Sequence, residues 1–123
     1  MGVGSSTVEL VLCRDLDCQP TPSAREFNLA PSTINAVRIV WREVGLDTQR
    51  GISPGPIRYQ VELETAEGQW KTILDRSQSQ EDLMTDYREC VREVGNRARL
   101  VVFDWPKGIV PAVSEFTVFG NTK

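Results

Sequence analysis

The sequence predicts an all-β protein, an antiparallel sandwich or barrel of about eight short strands. Three observations lead there. Apolar and polar residues alternate with a period of two through most of the chain. β-Branched and aromatic residues fill the apolar positions. Gly- and Pro-rich stretches divide the alternating segments at short intervals. The 123 residues and 13.8 kDa suit a single domain, residues 1–123, built on one core.

The elements follow in order. Thr7 to Leu12 places Val8, Leu10 and Leu12 on one face. Cys13 to Ala24 is polar and holds Pro20 and Pro22, so it reads as a loop. Phe27 and Leu29 restart the alternation, and Pro31 and Ser32 interrupt it. Ala36 to Val44 sets Val37, Ile39 and Trp41 against Arg38 and Arg42. Gly45 to Pro56 is too rich in Gly and Pro for helix or strand and reads as a long loop. Ile57, Tyr59, Val61 and Leu63 form the clearest strand, and Glu67-Gly68 turns it into a hairpin partner from Trp70 to Leu74. Leu83, Tyr87, Val91 and Val94 recur at spacings of four, four and three, a helical period. Arg97 to Asp104 alternates again. Trp105 to Gly108 is a loop, and Val113 to Phe119 is a closing strand, with Val113, Glu115, Thr117 and Phe119 on one face. Trp41 and Trp70 occupy core-facing positions in this reading.

Composition excludes several function classes. There is no histidine, so no Ser–His–Asp triad, no Cys–His pair and no His-based metal site can form. Three cysteines cannot complete a tetrahedral all-cysteine zinc site. The net charge of −3 argues against a nucleic-acid binder, which normally carries a basic excess. Eleven arginines and three lysines lie scattered among the acids, as solvated faces do. No apolar run approaches the ~20 residues of a membrane span. The opening residues do not read as a secretory signal. No pair of acids is set apart as a glycosidase pair would be.

From Ile34 onward, five segments stand in an order that resembles one family. They are Ile34 to Trp41 with its following loop and Tyr59 to Leu63, then Glu67-Gly68-Gln69-Trp70, Asp86-Tyr87, Ala98 to Val102, and Ser114 to Gly120. The resemblance is to the discoidin, or coagulation factor 5/8 type C, family, and covers residues 27 to 120. It implies a galactose-binding-like β-sandwich of jelly-roll form. It implies the role of a non-catalytic carbohydrate-binding module, of the kind appended to bacterial glycoside hydrolases. A glycan bearing a terminal sugar and a parent catalytic domain are then the partners, and an extracellular or cell-surface location follows. The resemblance further implies an extended segment from about Asp86, against the helical period noted above. Two other roles fit the same family: a protein- or membrane-binding discoidin domain, and a structural spacer without ligand. Membrane binding would need apolar loop tips. Here Leu46, Ile52, Trp105, Ile109 and Val110 are the candidates, diluted by charge.

Candidate site residues lie in the loops and on the last strand. Trp105 precedes Pro106 in a turn, where an indole has no periodic reason to be. In resembling modules an aromatic here is exposed and stacks on a pyranose; the alternative is that Trp105 caps one end of the core. The loop of twelve residues from Gly45 to Pro56 carries Asp47, Gln49 and Arg50, whose acid, carboxamide and guanidinium groups suit sugar hydroxyls. They could equally be surface charges on a solvated loop. Glu115 needs a partner among its apolar neighbours. The resemblance implies a structural Ca²⁺ there, bound through the Glu115 carboxylate; an arginine is the alternative partner. Cys13 and Cys18 enclose four residues, a spacing that closes a small disulfide ring in an exported protein and leaves two thiols in the cytosol. Cys90 reads as a small buried apolar residue.

Overall fold

The computed structural model describes residues 8–14, 23–44, 49, 51 and 55–122. Six strands order these residues: β1 (Val8–Arg14), β2 (Ser23–Val44), β3 (Arg58–Glu64), β4 (Trp70–Asp75), β5 (Thr85–Asp104) and β6 (Val110–Thr122). Every pairing is antiparallel, in the order β1-β6-β2-β5-β3-β4. No helix occurs among the described residues.

The two longest strands make the sandwich. The first part of β2 pairs with the end of β5, Ser23 with Val102 through Asn28 with Arg97. After a register shift between Asn28 and Ser32, β2 continues along the start of β5 and takes β6 on its other side. One layer is therefore β4, β3, the end of β5 and the start of β2. The other is β1, β6, the rest of β2 and the start of β5. Pro31 sits at the corner, where the ladder is broken and a missing N–H costs nothing. This is why six strands stand where about eight were expected: the breaks at Pro31 and near Gly95 bend a strand rather than end it. The core lies between the layers. Phe27 meets Phe116 edge to face at 5.1 Å, and Trp41 meets Tyr59 at 5.4 Å.

Three expectations are corrected. The stretch from Leu83 to Val94 is strand from Thr85 onward, as the family resemblance implied and the helical period did not. Leu83, Tyr87 and Val91 are 39%, 53% and 63% exposed, so no buried stripe lay behind that period. The inward position that an apolar residue would normally fill is occupied by Asp86, buried and ion-paired, which hid the strand pattern. Trp70 is not in the core. It lies half-buried on the outer face, under the guanidinium groups of Arg99 and Arg97 at 4.2 and 5.3 Å. Those arginines are held in turn by Glu62 and Glu64. Finally, Val113 and Glu115 do not share a face. A register shift at Val40/Trp41 leaves Ser114 as an extra residue, so Val113 is fully buried while Glu115 turns outward.

The hairpin forms as predicted: Gly68 has φ of 78° and its N–H donates to the Thr65 carbonyl at 2.9 Å. Cys13 is buried in the core. Cys18 lies outside the described residues, and with it the question of a ring between them. Burial pushes the Cys90 thiol up to about 11, so it stays protonated, as a packing residue should.

Candidate functional site

Three loops converge at one end of the sandwich. Val44, the last residue of β2, pairs with Val110, the first of β6, and Arg58, the first of β3, pairs with Asp104, the last of β5. The stems of the β2–β3 and β5–β6 loops therefore stand side by side. Pro106 lies against Gly55, 3.6 Å from where a β-carbon would stand. The Gly55 N–H donates to Asp82 in the β4–β5 loop at 3.2 Å.

Trp105 opens the β5–β6 loop at this end. Its indole is half-buried and packs against the core, so part of its surface caps the core and part stays open. Asp104 orients it. The Asp104 carboxylate accepts the Trp105 backbone N–H at 3.0 Å and the Arg58 guanidinium at 3.3 Å. Arg58 also donates to the Ser79 carbonyl at 3.1 Å, tying the β4–β5 loop to the stem. Asp104 is 63% exposed, so its remaining lone pairs face water. An indole beside a fixed donor fork and an open carboxylate has the parts that grip a sugar: an apolar plane, donors and acceptors.

Of the sequence-predicted residues, Trp105 is here and Gln49 lies exposed in a turn of the adjoining loop. Asp47 and Arg50 fall outside the described residues, as do Leu46 and Ile52. Ile109 is only 4% exposed and belongs to the core end, not to a loop tip. Sequence reasoning missed Arg58, Asp104 and Asp82. Asp104-Trp105 at the end of an alternating run was the available signal, because a strand end next to a turn delivers its side chain to the rim.

Glu115 is elsewhere, on the outer face of the second layer. Arg38 donates to it through Nε at 2.8 Å and approaches through Nη2 at 2.7 Å, and Arg14 adds a bond at 3.2 Å. Both carboxylate oxygens thus face guanidinium groups. Among the described residues no group of three or more acids or cysteines could hold a metal ion. Among the described residues Glu115 is therefore met by arginines and not by the further oxygen donors a calcium ion takes. Burial alone would raise the Glu115 pKa, but Arg38, Arg14 and Thr117 together outweigh it and hold the carboxyl below its ordinary range. A depressed folded-state pKa contributes stability above the unfolded value of about 4.3, lost as pH falls through the folded value. Glu115→Gln is therefore expected to melt below wild type at pH 7, with the gap closing below about pH 4. Parallel melting curves for the two proteins from pH 7 to pH 3 would refute this.

No family model matches the sequence, and no curated protein matches it significantly. Solved structures do match in fold. CpGH89CBM32-6, produced by Clostridium perfringens, superposes with a TM-score of 0.64 at 16% identity, covering 94% of each chain. Chitosan-binding module 1 from a Paenibacillus sp. IK-5 chitosanase/glucanase gives 0.58 at 18% identity, over 95% of this chain and 80% of that one. The family 32 carbohydrate-binding module of C. perfringens NanJ, solved with galactose, gives 0.57 at 9% identity, over 92% and 93%. The chain thus has the discoidin-like β-sandwich fold of these modules.

Proposed function

We propose that this domain is a non-catalytic carbohydrate-binding module that holds a glycan-degrading enzyme near its substrate. The observation that carries the reading is the convergence of three loops around Trp105, with Arg58 and Asp104 fixed beside it. The fold supports it, since modules of this shape bind galactose in one case and chitosan in another. In this reading the ligand is a terminal sugar, the parent protein is secreted, and tethering raises the enzyme's effective concentration at the glycan. Asp47, Gln49 and Arg50 belong by sequence to the adjoining β2–β3 loop and are the further candidates for the sugar's hydroxyls.

A shallow site of this kind contacts few atoms, so its affinity is expected near 0.1–1 mM, about −4 to −5.5 kcal/mol. The test is a glycan array on the purified domain, followed by amide-resolved NMR titration with the best sugar. Trp105→Ala should abolish binding. Because the ring is half-buried, it should also cost about 2 kcal/mol of stability. Asp104→Asn separates the two effects: it should weaken binding several-fold while the fold stays intact. An array without hits, or binding unchanged in Trp105→Ala, would overturn the reading.

A further inference from the structure

The outer face of the second layer carries a depression far from the loop end. It arises from a defect in the β2–β5 ladder. The register runs from Ile34 opposite Glu93 directly to Ala36 opposite Glu89. Cys90, Val91 and Arg92 thus stand against Asn35 alone. On its other side β2 skips a partner at the same residue, since Ile34 pairs with Gly120 and Ala36 with Phe119. Asn35 is a bulged residue in both ladders. The result is a hollow of about 400 Å³ lined by Asn35, Ala36, Tyr87, Glu89 and Cys90. Bulges of this type re-aim side chains at sheet edges and beside binding sites.

The groups around the hollow match one kind of ligand. Tyr87 is 53% exposed, yet its ring is fixed by an edge contact with Phe119 at 5.4 Å and 70°. Phe119 is covered by Arg38, which Glu9 and Glu115 clamp. An aromatic platform is thus held rigid before any ligand arrives, which limits the ordering cost of binding. The Asn35 carboxamide and the Glu89 carboxylate have no hydrogen-bond partner among the described residues, and both border the hollow. An exposed, immobilised ring beside an unpaired carboxamide and an unpaired carboxylate offers an apolar plane, two donors and several acceptors.

We propose that this hollow is a second saccharide-binding site, with Tyr87 stacking on a neutral pyranose and Asn35 and Glu89 bonding its hydroxyls. It goes beyond the loop-end site and does not rest on it. Tyr87 stands opposite Arg38, six positions before Val44 along β2, so the two sites lie about 20 Å apart at the rise of a strand. One short sugar cannot fill both. A long or branched glycan can, and two weak sites on one chain then act through effective concentration.

The probes are galactose, glucose, mannose and N-acetylglucosamine, each titrated to 100 mM against the labelled domain by NMR. At least one should give saturable shifts at residues 35–36 and 87–90, with a binding curve independent of that at residues 104–106. Tyr87→Ala should weaken the face response at least tenfold and leave the loop response unchanged; Glu89→Gln should weaken it several-fold. Both side chains are exposed, so neither variant should unfold the domain. No face response to any of the four sugars would overturn the proposal, as would one that survives Tyr87→Ala. Shifts at Tyr87 and Val91 that depend on protein concentration without sugar would also overturn it, marking the face as an interface between copies. A response at the face alone would leave this site standing and remove the loop-end one; a response at the loops alone would do the reverse.

Discussion

Replacing Asp86 by alanine is expected to lower stability by about 3 kcal/mol, roughly 10 °C in Tm. The carboxylate is 5% exposed and is the hub of a network between the layers. The Tyr59 hydroxyl donates to it at 2.9 Å, Arg76 Nε at 3.3 Å and Arg88 Nε at 2.6 Å. Glu81 then joins the two arginines from outside, at 2.9 and 2.7 Å. Burial first, and then the Asp86 charge, push the Tyr59 pKa far up, so its hydroxyl stays a donor at any ordinary pH. Without Asp86 that buried hydroxyl loses its acceptor and two guanidinium groups lose their inner partner. The arginines are 17% and 31% exposed and can turn toward water, which places the cost at the low end for a broken buried ion pair. Tyr59→Phe removes only a donor and should cost about 1 kcal/mol. Urea unfolding of the three proteins decides the matter. An Asp86→Ala variant within 1 kcal/mol of wild type would show that the network adds little.

Gly120→Ala should cost about 3 kcal/mol or more, and the variant protein should be largely insoluble if it exceeds the total stability. Gly120 lies between Val8 and Ile34 in the β1-β6-β2 ladders. A β-carbon there would run into the Thr33 carbonyl oxygen and come within 3.0 Å of Ile34 Cα. These are backbone atoms of a central strand, so no rotamer change relieves the clash. Gly68→Ala is the contrast. A β-carbon at Gly68 meets nothing within 4 Å, and only its φ of 78° opposes the change, at about 1 kcal/mol. Equal midpoints in chemical denaturation for the two variants would show that the ladder opens at Gly120 more easily than its geometry implies.

Much of the fold was legible in local pattern. Tyr59, Val61 and Leu63 alternate in sequence and are buried within 1% of completely in the structure. The Glu67-Gly68 turn and the Trp105 loop lie where their residues said. The candidate site was half legible. Trp105 announced itself by standing in a turn, but Arg58 and Asp104 did not, because their meeting depends on the β3–β5 register. The second site on the outer face had no sequence signal at all. Tyr87 reads as one member of a helical period and Glu89 as a plain surface acid, and the bulge that opens the hollow beside them exists only in the pairing.

The all-β class, the positions of most strands and the lack of any histidine side chain were readable in the residues alone. These follow from period, turn residues and composition, which are local properties. The packing of distant segments settled that β2 and β5 each pass through both layers, and that Trp70 lies outside under two arginines. It also decided that a single extra residue at Ser114 separates Val113 from Glu115. Each of these turns on register, and register is set by which strand lies alongside. One residue of slip reverses every side chain beyond it, and nothing within the strand itself records where that slip occurs.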